Sequence, residues 1–238
     1  MFDIKVNLFP VTVDGRSFPG VWRRMREGLW SFWHRRDLVR YSISAMVRIQ
    51  IDDAFLLVRN RKFSKFQPVG GVLKRLRDSA GRLRDMGLRE DNMFAPDELN
   101  RDDLRVQVPA TSVIPFLNWY ATGKGREASP WREFHEELVA PGHLSAAAFP
   151  HIQVQHVRQH NTGIQPARHA NNGARFECRI AEIFELIPTG AQRRELRKLR
   201  NRGGGELLWA TAEEIQTLGV VPKKREEAII AETAQWIV

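Results

Sequence analysis

From Tyr41 to Gln50 every second residue falls on an apolar face, with Tyr41, Ile43, Ala45, Val47 and Ile49 alternating against Ser42, Ser44, Met46, Arg48 and Gln50. Successive side chains of an extended strand point to opposite sides, so this spacing fits a half-buried strand and does not fit a helix. Asp52 and Asp53 then supply a turn, and residues 54–59 return as a second apolar run, which predicts a hairpin leading into a glycine-containing loop at 66–71. A hairpin with one apolar face has to be covered, and the segments that follow supply helices to cover it.

Residues 112–121 carry Ile114, Phe116, Leu117, Trp119 and Tyr120, predicting a helix that Gly123 and Gly125 end. Ser129-Pro130 opens another helix, with serine as the cap and proline suited to the first position, and it stops before Pro141-Gly142. Strands are expected at 151–158 and 175–186, separated by a polar loop at 159–174 long enough to touch a ligand. A basic helix at 191–202 runs into Gly203, Gly204 and Gly205; a short strand at 206–210, a helical turn at 212–218 and a closing helix at 224–237 complete the chain. Residues 72–108 show no clean period and read as an insertion of short helix and loop. In the N-terminal segment 21–36, Trp22, Met25, Leu29, Trp30 and Trp33 recur at helical spacing beside arginines, which predicts a helix packed on the domain or on a second subunit in preference to one lying on a membrane. The expected organisation is an N-terminal extension at 1–40 and one elaborated α/β domain at 41–238, with 72–124 inserted.

No apolar run approaches the roughly 18 to 20 residues that span a bilayer, and the first ten residues lack the order of a signal peptide, so a cytoplasmic protein without a transmembrane segment is expected. The single cysteine, Cys178, sits in a strand-like run and reads as a buried thiol. A formal net charge of +9 favours anionic partners, without distinguishing nucleic acid from a free nucleotide or a phosphorylated messenger.

The sharpest chemical feature is the run Arg132-Glu-Phe-His-Glu-Glu-Leu138. Glu133, Glu136 and Glu137 occupy helical positions i, i+3 and i+4, which places three carboxylates on one face. Like charges so close repel, and a divalent cation relieves the repulsion; Mg2+ fits because it binds carboxylate oxygen and completes its shell with phosphate oxygens. Such a cation lowers the pKa of a water while a spare carboxylate accepts its proton, which leads to hydrolysis. On an isolated helix the same triplet would be an ordinary solvated acidic face.

The order of neighbouring segments favours the first reading. Residues 132–138 resemble the core of the Nudix box, the hairpin 41–59 followed by 66–71 resembles the first strands and glycine pair of that family, and 207–214 is similar to its late tryptophan strand and acidic turn. More narrowly, 116–119 and 125–138 resemble the SMODS-associated Nudix domain, a branch found beside cyclic-oligonucleotide synthases in bacterial antiphage systems. The resemblance implies a mixed sheet sandwiched between helices, with the N-terminal helical segment and the insertion added before the Nudix helix. It implies metal ligands at Glu133, Glu136 and Glu137 for Mg2+ or Mn2+, with Arg132 positioning the glutamates through a salt bridge, so that these four residues carry catalysis. Gly70 and Gly71 would let backbone amides approach phosphate. Arg59, Phe66, Glu127, Arg168 and His169 are the further candidates for contact with substrate. The chain departs from the family pattern in its long insertion after Gly71, in Glu127 lying close to Arg132, and in Val139 where the box closes on glycine.

Two functions follow as expectations: hydrolysis of a nucleotide or nucleoside diphosphate derivative, or sensing of a cyclic oligonucleotide with the signal passed through the N-terminal helix or a homodimer interface. His151, His156, His160 and His169 fit no compact zinc spacing and read as surface or hydrogen-bonding histidines. Arg193, Arg194, Arg197, Lys198, Arg200 and Arg202 form a positive strip that reads as a solvated helix face before it reads as a nucleic-acid site.

Overall fold

A computed structural model of the protein describes residues 30–31, 33–60, 64–91, 102–168, 173–220 and 229–238. The segment 21–29, most of the predicted tryptophan-rich helix, lies outside them, as does His169. The chain divides into two compact units: Met1–Ser42, Lys74–Arg126 and Asn161–Arg179 form the first, and Ile43–Leu73, Glu127–His160 and Ile180–Val238 the second.

In the first unit the opening of β1 (Leu38–Arg48) pairs antiparallel with β6 (Arg105–Pro109), in register from Leu38 opposite Pro109 to Ser42 opposite Arg105. A two-residue β5 (Arg89–Glu90) extends β6, and a short helix α1 (Ala80–Asp85) precedes it. Helix α2 (Val113–Ala121) lays Phe116 against Tyr41, ring centroids 5.0 Å apart. The short β8 (Gln165–Pro166) pairs with the start of β9 (Phe176–Leu186), where Cys178 is buried. The inserted region therefore contains strands that the sequence did not signal.

The second unit is built on the rest of β1 with β2 (Gln50–Ile51), β3 (Ala54–Asn60), β4 (Lys65–Val72), β7 (Val154–Asn161), the end of β9, and β10 (Leu207–Thr211). β4 pairs antiparallel with β1 and with β3, and β10 with β3. β9 pairs with β1 and β7. Ser44 Oγ donates to the Ile180 carbonyl and Arg48 to Glu185; these contacts advance together along the two strands, so β1 and β9 run parallel and the sheet is mixed.

Helices cover both faces of that sheet. On one, Phe134 and Leu138 of the acidic helix, α3 (Trp131–Phe134 continued as a π turn over His135–Val139), and Leu196 and Leu199 of α4 (Gly190–Arg202) pack on Val47, Ile49, Leu56, Val69 and Leu186. On the other, Ile215 of α5 (Ala212–Gln216) and Ala234 pack on Met46, Phe55, Leu57, Ala181 and Ile183. Each fully buried Phe or Leu contributes about 1.5 to 3 kcal/mol, so the two apolar positions of α3 suffice to fix its acidic face. Thr189 with Gln192 and Thr211 with Glu214 close capping boxes at the starts of α4 and α5, and Gly203 at φ 62° ends α4.

Three expectations need correction. Residues 66–71 belong to β4 and form no loop, because their backbone pairs with strands on both sides. The predicted closing helix at 224–237 is not seen over residues 229–238, and 221–228 lie outside the described residues. The Phe66 amide donates to Ile229 O and the Ala231 amide to Phe66 O, both at 2.8 Å, which draws this backbone alongside β4 and leaves a single 3-10 stretch, Glu232–Trp236. The polar loop 159–174 begins later than expected, since β7 runs on to Asn161.

Candidate functional site

Helix α3 begins where Ser129 Oγ accepts the Trp131 amide at 3.2 Å, satisfying one of the open amides of the first turn. It then widens: the Ala140 amide reaches back five residues to His135 O, at 2.8 Å, through the stretch that carries Glu136 and Glu137. Such π turns often occur at functional sites.

Arg132 is the hub of the cluster. Its guanidinium grips Glu127 with two bonds, Nε at 2.8 Å and Nη2 at 3.0 Å, while Nη1 donates to Glu133 at 2.7 Å and to Glu136 at 3.3 Å. Nη2 also donates to the Val72 carbonyl at 3.0 Å, fastening the helix to the end of β4. Burial works against the Arg132 charge, and the hydrogen bonds and negative charges of Glu127 and Glu133 outweigh it, raising the pKa above the usual guanidinium range.

The two glycines act through close approach. Gly70 adopts φ 138°, and a Cβ there would stand 2.2 Å from Ala45 O; its amide donates to Glu137 Oε2 at 2.8 Å. A Cβ on Gly71 would fall 2.4 Å from the Glu133 carboxylate. Glycine is thus required at 70 by the backbone and at 71 by the acid lying on it. Gly71→Ala is expected to displace Glu133 while lowering stability by only about 1 kcal/mol, because the atom it meets is the end of a flexible side chain. Urea unfolding combined with a crystal structure of the variant checks both parts.

Glu137 differs from its neighbours. Burial raises its pKa to about 8, the Gly70 amide and the Gln67 side chain oppose that rise, and the charges of Glu133 and Glu136 add to it. Gln67 is itself held by Asn60, whose amide donates to Gln67 Oε1 at 2.8 Å. Three carboxylates, one destabilised by burial and by the other two, make a donor set suited to a hard divalent cation. Among the described residues no three Asp, Glu, His or Cys side chains form a ready-made metal cage. Arg132 engages Glu133 and Glu136, while Glu137 is bound from the strand side.

The remaining sequence candidates scatter. Glu127 joins the cluster through Arg132. Phe66 is 7% exposed and packs in the core on the opposite face of the sheet from Gly71, and Arg59 lies over its ring at 4.8 Å while donating to Gly205 O. Arg168 is exposed in the first unit. In the basic strip, Arg197 and Arg200 pair with Asp52 and Asp53. The residues that sequence reasoning missed are Gln67, Val72 and Asn60, which hold the cluster from the strands. Only the adjacent glycines signalled that something approaches β4 closely.

A family model described as the SMODS-associated NUDIX domain matches residues 38–238. Neither the curated proteins nor the solved structures compared with the chain give a match.

Proposed function

Since the chain belongs to the SMODS-associated Nudix domain family, we propose that α3 and β4 hold Mg2+ or Mn2+ and that the protein hydrolyses a phosphoanhydride bond in a nucleotide or nucleoside diphosphate derivative, in the cytoplasm and in antiphage defence. The observation that carries this is the junction of Glu133, Glu136 and Glu137 with Arg132 over the Gly70–Gly71 backbone.

Glu133, Glu136 and Glu137 would hold the metal. Its contribution is to neutralise phosphate charge and to make a water easier to deprotonate. Burial and the charges of Glu133 and Glu136 keep a proton on Glu137 in the metal-free protein at neutral pH, and a bound cation would displace it and take the carboxylate as a ligand. Arg132 keeps Glu133 and Glu136 oriented, and Gly71 leaves room for the Glu133 carboxylate to lie on β4. No helix among the described residues is long and apolar enough to cross a membrane.

Assay of a nucleotide panel with Mg2+ or Mn2+ tests the reading. Turnover in the wild type and a loss of about a hundredfold in Glu136→Gln and Glu137→Gln, on the scale set by removing one group active only in the transition state, is the expected result. Metal-independent turnover, or turnover unchanged in both variants, rejects it.

A second reading is a sensor that binds a cyclic oligonucleotide without turnover. It is favoured by one observation: Arg132 already supplies a cation to Glu133 and Glu136. Calorimetry showing tight binding of a cyclic di- or trinucleotide with no product separates it from hydrolysis. The helix proposed to mediate a homodimer lies largely outside the described residues.

A further inference from the structure

We propose that His156, oriented by Glu182 and Gln159, is a ligand-recognition residue at the far end of the same site, contacting the nucleoside portion beyond the phosphates. This rests on the reading of the glutamate cluster as a phosphate site.

The network is built from two strands. Glu182 on β9 is 9% exposed; its Oε2 lies 2.7 Å from His156 Nε2, and its Oε1 accepts from Gln159 Nε2 at 2.9 Å. The His156 ring also meets Phe184 edge-on, with centroids 5.3 Å apart. The imidazole is thereby fixed on one side and about half exposed on the other, 49% by side-chain area. A buried carboxylate costs free energy that an apolar residue would avoid, and a carboxylate bonded to one ring nitrogen sets the orientation of an imidazole.

Its placement follows from the core. Val154, two residues before His156, and Leu186, four after Glu182, pack in the layer that contains Phe134 and Leu138 of α3. Gly71 pairs with Ala45, and the missing Cβ of Gly71 points at Glu133 on that same layer's side, with Val47 two residues further along β1. His156, Glu182 and the glutamate cluster thus share one face of the sheet. The Ser44–Ile180 and Arg48–Glu185 contacts set Glu182 level with Ala45 and Met46, which oppose Gly71 and Gly70. At about 4.8 Å per strand, β9 lies roughly 10 Å from β4 and β7 roughly 14 Å. That separation is too great for His156 to act on the bond broken beside Glu137, and it suits the span of a nucleotide.

The strand itself is adjusted for this purpose. Strict alternation would put His156 and Gln159, three residues apart, on opposite faces, yet both bond Glu182. Arg158 donates to the carbonyls of Trp236 and Val238, and His160 stacks on Trp236 at 4.4 Å, on the other face. β7 therefore steps out of alternation between His156 and Arg158. Departures of this kind re-aim side chains and are common beside active sites.

The test is titration calorimetry of the full chain with Mg2+ and three probes, ADP-ribose, cyclic di-AMP and inorganic pyrophosphate. Wild type, His156→Ala, His156→Gln and Glu182→Gln are compared, with thermal unfolding of each as the check on folding. The expected result is a loss of at least tenfold in affinity for a nucleotide probe in His156→Ala, partial recovery in His156→Gln, an intermediate loss in Glu182→Gln, and pyrophosphate binding unchanged throughout. An unchanged nucleotide affinity in His156→Ala, an equal loss for pyrophosphate, or no nucleotide binding in wild type overturns the proposal. Glu137→Gln separates the two readings. Turnover lost there with His156→Ala unaffected leaves the hydrolase standing without the recognition role; nucleotide affinity lost in His156→Ala with no turnover in wild type leaves recognition without hydrolysis.

Discussion

Arg132→Ala is expected to destabilise the protein by about 3 kcal/mol, the lower end of what removing one partner of a buried ion pair costs, since the guanidinium is a quarter exposed. The loss has three sources. Glu127 surrenders two charge-assisted bonds, the Val72 carbonyl loses its donor, and Glu133 and Glu136 are left beside Glu137 without a compensating charge. Arg132→Lys should recover only part of this, because a lysine ammonium restores the charge and cannot bridge Glu127, Glu133 and Val72 O together. Urea denaturation at pH 7 measures both. If millimolar Mg2+ recovers stability in Arg132→Ala more than in wild type, the glutamates and not the arginine alone are the source of the strain.

Glu137→Gln is expected to stabilise the metal-free protein at high pH and leave it nearly unchanged at pH 5. The Glu137 carboxyl ionises near 4.5 when unfolded and at about 8 in the fold. Between those values the folded chain holds a proton that the unfolded chain has released, so stability is highest below 4.5, declines as pH rises to 8, and is level beyond. At about 1.4 kcal/mol per pKa unit the decline attributable to this residue is on the order of 5 kcal/mol. Glutamine mimics the protonated acid and removes that dependence, so the difference between variant and wild type should grow from near zero at pH 5 to its full size at pH 9. A difference that stays flat across this range would mean that Glu137 is ionised normally in the fold.

Much of the second unit could be read from sequence because its residues obey one period at a time. The alternation of β1 holds at Val39, Tyr41, Ile43, Ala45 and Val47, all fully buried, and is interrupted only by Met46, which is buried in the core on the other face. Helix α4 announces itself by Leu196 and Leu199 among arginines and by the glycines that stop it. In sequence β4 resembles a loop because glycine is depleted in strands, and what justifies Gly70 and Gly71 there is contact with Ala45 and Glu133, which no local pattern encodes. β6 is obscured for a different reason: Arg105-Val-Gln-Val108 does alternate polar and apolar, but over only four residues before Pro109, too short a run to stand out.

The site divides in the same way. Glu133, Glu136, Glu137 and Arg132 stand in one short segment, where helical spacing predicts their convergence. Glu127 lies before the helix starts, so its pairing with Arg132 depends on how the chain enters α3 and follows no helical rule. The π turn, the Gly70 bond to Glu137 and the step in β7 that brings Gln159 onto Glu182 beside His156 depend on packing between segments far apart in the chain.

The central claim, that three glutamates of α3 hold a divalent cation against β4, is tested most directly by titrating Mn2+ into the metal-free protein and into Glu133→Gln, Glu136→Gln and Glu137→Gln. The account predicts saturable binding in the wild type, weakened at least tenfold by each substitution. Mn2+ affinity that is the same in all four proteins would contradict it.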